Sequence, residues 1–308
     1  MKLQTPVADE TCKVGISYDD KILMMGSCFT DNIGQQLADF GFEVCINPFG
    51  TLYNPVSLLE SVRLLMSNRA FGPEDCVEIG AGDTRTCSFC HHTSFARTSA
   101  EDFITDANAA LEQARNFFRE CSKVIITLGT SWCFRHIETD RVVSNCLKRP
   151  SGEFRREFLP ASQTGEALKE IIRLCNSGSD AFGAQVRPKD FIFTVSPIRH
   201  FKDGAHGNQI SKASLLLGVE EALAWASGKS EPVPADYFPA YEIMMDELRD
   251  YRFYAEDMCH PSQQAVNYIR ERFLAWALPA SEATRLEENI RDFRRRSHIE
   301  KHLKKQKE

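Results

Sequence analysis

The sequence predicts an α/β fold: one three-layer α/β/α domain on a parallel sheet of about five strands. Two observations predict it. Short apolar, β-type runs alternate along the chain with stretches of helical periodicity, the pattern of strands joined by crossover helices. The two clearest runs, residues 124–128 and 191–195, are almost wholly apolar, as strands buried on both faces must be. Each ends in a turn residue, Gly129 or Pro197.

In chain order, residues 22–25 are the first strand, and 30–40 form a helix that starts at Thr30 as N-cap and stops before Gly41. Residues 42–46 are the second strand and 55–66 the next helix. Residues 101–119 are a third helix, because Phe103, Ala107, Ala110, Leu111, Ala114 and Phe118 fall on one face. After strand 124–128 come a short hairpin over 132–143 and a loop over 150–163. Helix 165–175 precedes strand 191–195, helix 209–226 follows it, and 262–276 is the last helix of the domain. Residues 72–99, punctuated by glycine and proline, are expected to be a loop insertion. The domain is therefore placed at 1–280 and a basic helical tail at 281–308. In that tail Leu286, Ile290 and Phe293 make an apolar stripe, extended less regularly by Ile299 and Leu303, and the helix is expected to pack on the body by it.

Composition narrows the function classes. With 43% hydrophobic and 26% charged residues, the chain is neither disordered nor a coiled-coil rod. A net charge of −6 opposes binding to nucleic acid or to anionic lipid. Eleven cysteines, an odd number scattered from Cys12 to Cys259, read as reduced thiols in a cytoplasmic protein. Residues 1–10 lack the apolar stretch of a secretory signal. No run approaches the ~18 apolar residues of a membrane span; the best candidate, 213–226, carries Glu220 and Glu221.

Two segments carry chemistry. At Met24-Met-Gly-Ser-Cys-Phe-Thr30 a buried strand runs through Gly26 into a helix start. Ligands of open α/β sheets collect at that C-terminal edge, and unpaired helix N–H groups favour a thiolate or an oxyanion there. Ser27 and Cys28 are both candidate nucleophiles. Near the end, Asp257-Met-Cys-His260-Pro261 precedes the last helix. Two side chains three residues apart on a loop can reach the same edge, with His260 as general base and Asp257 holding its other nitrogen. A third cluster, Arg199, His200, Lys202, His206 and Asn208, follows the strand ending at Val195 and suits an anionic or polyhydroxylated substrate. Cys87-Ser-Phe-Cys90-His91-His92 has one Cys-x-x-Cys pair and no second pair at ligand spacing, so no metal site is expected. No phosphate-binding loop, dinucleotide fingerprint or zinc-protease motif occurs.

Gly26-Ser-Cys-Phe-Thr30 with Asp31-Asn-Ile-Gly34 resembles the opening signature of the GSCFA family, which is placed in the SGNH/GDSL hydrolase superfamily. The resemblance continues through Asn47–Pro55, Thr127–Trp132, Thr194–Gly204 and Asp257–Pro261, in order, over most of residues 20–275. It implies an SGNH-like sandwich with five parallel strands in flavodoxin-like order. Laid over the superfamily's Gly-Asp-Ser-Leu, it puts Cys28 at the nucleophile and Ser27 where Asp usually stands; an offset by one restores Ser27. Gly50 matches the oxyanion glycine. The third block, normally Gly-x-Asn-Asp, reads Gly129-Thr-Ser131-Trp132, so the amide donor is missing; Ser131 is the substitute, with Asn54 or Asn145 reaching in from neighbouring loops. The family pattern also puts His91 or His92 and Ser94 in the substrate cleft. The expected function is an esterase or acyltransferase acting on a small polar ester, such as an acylated sugar, without metal or organic cofactor. The alternative is a non-catalytic carbohydrate-binding or scaffold protein that kept the fold.

Overall fold

Residues 5–7 and 11–305 are described by the computed structural model. Strand β1 (Lys21–Gly26) leads through α1 (Cys28–Asp39) to β2 (Glu43–Ile46) and α2 (Pro55–Met66). The insertion carries two short antiparallel strands, β3 (Val77–Glu78) and β4 (Thr86–Cys87), before α3 (Ala100–Glu120) and β5 (Lys123–Leu128). Strands β6 (Trp132–His136), β7 (Arg141–Val143) and β8 (Phe154–Phe158) form a separate antiparallel sheet. Then come α4 (Ala161–Cys175), β9 (Asp190–Val195), α5 (Gly204–Ser227), β10 (Ala235–Phe238), the short α6 (Ala240–Glu242), α7 (Gln263–Ala277) and α8 (Ala283–Lys305).

The central sheet has the order β2-β1-β5-β9-β10, and every pairing in it is parallel. Its strands are apolar on both faces because both faces are covered. Leu23, Met25, Val124, Ile126, Phe191 and Phe193 point into one core with Leu58 of α2, Leu111 of α3, Leu168 of α4 and Leu215 of α5. Their alternates Ile22, Met24, Ile125 and Ile192 point into the other, with Phe29 and Ile33 of α1 and Ile269 and Phe273 of α7. The expected three layers and flavodoxin-like strand order are present. The order reverses between β1 and β5, so the carboxyl ends of these two strands flank the crevice where such sheets bind ligands.

Several expected boundaries move. Helix α1 begins at Cys28 with Ser27 as its N-cap, not at Thr30. Part of the expected loop 150–163 is strand β8, paired along β6; the alternating Phe-Arg-Arg-Glu-Phe hides it because Arg155 and Glu157 form an ion pair at 2.8 Å on its solvent side. Helix α5 starts at Gly204, five residues early, so His206 and Asn208 lie on its first turns rather than in a loop. The fifth strand, β10, had no sequence signal, being four residues long with Asp236 inside it.

Helix α8 packs on the second core through Leu286, Ile290 and Phe293. Phe293 meets the Phe40 ring edge-on at 5.9 Å, and Asn289 donates to the Phe40 carbonyl. Ile299 is 52% exposed, so the packed stripe stops before it; the Leu303 side chain and residues 306–308 lie outside the described residues. All eleven cysteines are free thiols. Among the described residues no helix is long and apolar enough to cross a membrane.

Candidate active site

The site begins where β1 turns into α1. Gly26 has φ 146°, and a Cβ there would lie 2.2 Å from the Thr127 carbonyl oxygen of β5. Only glycine permits that approach, which lets the chain turn sharply at the switch point. The turn is pinned on three sides. The Ser27 N–H donates to the Thr127 carbonyl, the Gly26 N–H to Asn47 Oδ1 at 2.8 Å, and the Leu52 N–H to the Gly26 carbonyl. The Asn47 amide in turn donates to Asp31 at 2.6 Å, locking the first turn of α1 to the loop after β2.

Ser27 is 1% exposed, and its Oγ accepts the Phe29 N–H as the helix cap. Its carbonyl takes the Thr30 N–H. Cys28 is the first residue of the helix and is half-buried. The Ser27, Phe29 and Thr30 donors are all taken, and the Cys28 amide lies against its own sulfur. Burial and then Asp31 push the Cys28 thiol up; its own amide, the Phe29 amide and the Lys212 ammonium act against that rise.

The Asp257–His260 turn is closed by its own hydrogen bonds. Met258 takes a left-handed φ of 55°, which folds the segment back on itself. Asp257 Oδ1 accepts the Cys259 and His260 N–H groups, both at 2.9 Å, and Oδ2 bonds His260 Nδ1 at 2.5 Å. Those two backbone donors, followed by the imidazole, hold the Asp257 carboxyl at about 2, so it is ionised. With Nδ1 engaged, Nε2 is the nitrogen left to act. The Arg199 N–H donates to the Cys259 carbonyl, tying this turn to the segment after β9. No hydrogen bond joins His260 to Cys28 or Ser27 among the described residues.

Two groups sit between these halves. Lys212 of α5 is 1% exposed, and its Nζ donates to the carbonyls of Gly129 at 2.7 Å and Ser196 at 2.8 Å, just beyond the ends of β5 and β9. Burial brings it down to about 7, against the pull of Cys28. His200 is driven down to about 4 by burial, by Lys212 and by His260, against the Gly129 carbonyl. Among the described residues its Nε2 is buried with no hydrogen-bond partner. Tyr53 faces the same space: burial, Cys28 and Asp31 raise it, while a hydrogen bond from Thr51 lowers it.

The remaining expected residues divide. His92 lies at the edge: the Cβ that Gly50 lacks would sit 2.4 Å from the His92 Cβ, and His92 acts on the Asp31 charge. The Gly50 amide itself donates to the Asn47 carbonyl. Asn54 caps α2, with Oδ1 and Nδ2 both bonded to Ser57. Ser131 is fully buried, its amide and hydroxyl both directed at Ser211 Oγ. Asn145 Oδ1 accepts the Leu147 N–H within its own loop. Asn208 Oδ1 holds the His200 N–H, and Arg199 stacks on Phe201 at 4.1 Å. Lys202 and His206 are exposed.

One expected cleft residue is instead in the core. His91 is 1% exposed, ringed by Phe49, Phe71, Phe95 and Phe103, and bonded through Nδ1 to Ser88 Oγ. Burial alone drives it to about 3, so it is a neutral core histidine. Among the described residues no group of three or more His, Cys, Asp or Glu is placed to hold a metal ion. Asp31, Asn47, Tyr53, Ser211 and Lys212 were missed. Asp31 and Asn47 lay inside motif blocks already singled out, but Ser211 and Lys212 read only as polar positions of a helix.

No curated protein and no solved structure matches the chain. The family described as GSCFA family matches residues 21–273, which run from the first residue of β1 into α7 and take in both halves of this site. The chain therefore belongs to the GSCFA family.

Proposed function

We propose that this protein is an SGNH-like esterase or acyltransferase in which Cys28 is the nucleophile, His260 the general base and Asp257 the group that orients it. One observation carries the reading. A half-buried thiol at the first position of a helix shares a sheet edge with a histidine whose Nδ1 is already held by an ionised carboxylate. Ser27 is the weaker candidate because its hydroxyl is committed to the helix cap.

In the reaction, His260 Nε2 takes the Cys28 proton as the sulfur attacks the ester carbonyl. The carbonyl oxygen becomes an oxyanion facing the Cys28 amide, and Asp257 stabilises the imidazolium. Collapse breaks the ester C–O bond, and His260 returns its proton to the departing alkoxide. A water or an acceptor hydroxyl, deprotonated by His260, then attacks the thioester and frees Cys28. Arg199, Lys202, His206 and His92 offer polar contacts suited to a small polar ester such as an acylated sugar.

A non-catalytic carbohydrate-binding or scaffold role is favoured by a different observation: the Gly50 amide and the Ser131 hydroxyl both donate within the fold, to the Asn47 carbonyl and to Ser211. Hydrolysis of a short-chain p-nitrophenyl ester separates the two. Cys28→Ala and His260→Ala should each cut turnover by about 10³-fold or more. Wild-type turnover in both variants contradicts the assignment, and binding without turnover in the wild type favours the scaffold.

A further inference from the structure

Lys212 is a buried amine that the reaction above leaves unused. Its Nζ is fixed by two carbonyls at the ends of adjacent strands, Gly129 after β5 and Ser196 after β9. Strand β1 is the next neighbour of β5, with Gly26 opposite Thr127, and Cys28 is two residues beyond Gly26. The ammonium is thus held at the same edge as the thiol, from the opposite layer. No carboxylate forms an ion pair with it among the described residues, although burying an unpaired ammonium is costly. The aromatic ring of Tyr241, 5.7 Å away, supplies a weak partner from α6.

We propose that Lys212 is a positioning residue whose ammonium, held in place at the sheet edge, is the counter-charge of the Cys28 thiolate. This deepens the acyl-transfer reading and rests on it for its purpose, though the charge coupling can be tested alone. The groups facing Cys28 are Asp31 on its own helix, Tyr53 from the loop before α2 and Lys212 from α5. Asp31 opposes the thiolate and Tyr53 is neutral, so Lys212 supplies the cation among them, beside the His260 that takes the Cys28 proton in the reaction above. Facing Lys212 are Cys28, His200 and Tyr241, and neither His200 nor Tyr241 competes with the thiolate as an anion at neutral pH. Burial alone favours the neutral amine; two carbonyl acceptors and a thiolate favour the ammonium. Thiol and amine therefore titrate as a coupled pair, each holding the other in its charged form.

The test is the pH dependence of iodoacetamide alkylation at Cys28, mapped by peptide mass spectrometry, in the wild type and in Lys212→Met. The neutral variant should alkylate about tenfold more slowly at neutral pH, with its profile displaced to higher pH. Superimposable profiles overturn the proposal. Because alkylation needs no ester turnover, a displaced profile in a protein without esterase activity upholds the coupling while the acyl-transfer reading fails. Should Lys212→Met not fold, the reciprocal measurement uses Cys28→Ser and ¹³C-lysine NMR. The Lys212 titration should then move to lower pH when the thiol is removed, and an unmoved titration overturns the proposal.

Discussion

Cys28 differs from four of the other thiols in its neighbours. Burial pushes Cys45, Cys87, Cys133 and Cys146 up to about 11, with arginines acting against the rise at Cys87 and Cys133. Cys28 is also raised, but backbone amides at a helix start and a buried ammonium work against the rise. Its partner residue, Asp257, makes a sharper prediction. A carboxyl held at about 2 keeps its pairing above its unfolded value and loses it only as pH falls through about 2. Asp257 thus stays ionised across any working range, and the acid limb of activity belongs to another group. Asp257→Asn should lower kcat by roughly 10²-fold or more, through loss of imidazole orientation, with little change in melting temperature. A kcat equal to wild type would remove Asp257 from the mechanism.

At the scale of elements, the β1–α1 turn is where sequence and site coincide. Gly26→Ala must place a methyl against the Thr127 carbonyl with a backbone that side chains avoid. It should cost about 2–4 kcal/mol in urea denaturation; an unchanged midpoint would show that the turn relaxes freely. Helix α8 carries the opposite expectation. Phe293→Ala removes its ring contact with Phe40 and should raise hydrogen exchange along α8 while leaving ester turnover intact. Unchanged exchange would mean the stripe does not hold the helix. These elements also show what the sequence could reveal. Central strands were legible because burial on both faces leaves them almost wholly apolar, whereas Asn54, expected at the oxyanion, is instead the N-cap of α2. Strands β8 and β10 were not, since one has solvent-facing ion pairs and the other is a four-residue edge. The two halves of the site were legible as local motifs. Lys212 was not, because its role depends on two carbonyls 16 and 83 residues away.

For the whole molecule, two histidines tie stability to pH. His91 in its aromatic enclosure is held at about 3 and His200 at about 4, both below the usual histidine value near 6.5. The unfolded chain therefore binds more protons than the folded one at mildly acidic pH, so stability falls as pH drops through 6.5 toward those values. His91 alone should remove roughly 2–3 kcal/mol by pH 4.5. His91→Phe should flatten the decline by about that amount in urea titrations at pH 7 and 4.5; parallel declines would contradict the burial account. One crevice, at the reversal between β1 and β5, holds the thiol proposed to accept an acyl group. The most direct test is to mix the protein with p-nitrophenyl acetate, quench with acid and map the adduct by peptide mass spectrometry. The account predicts one acetyl group on the peptide bearing Cys28, absent from Cys28→Ala and accumulating in His260→Ala only at high pH. Acetylation at Ser27, or equal labelling of the protein with and without the Cys28 thiol, would contradict it.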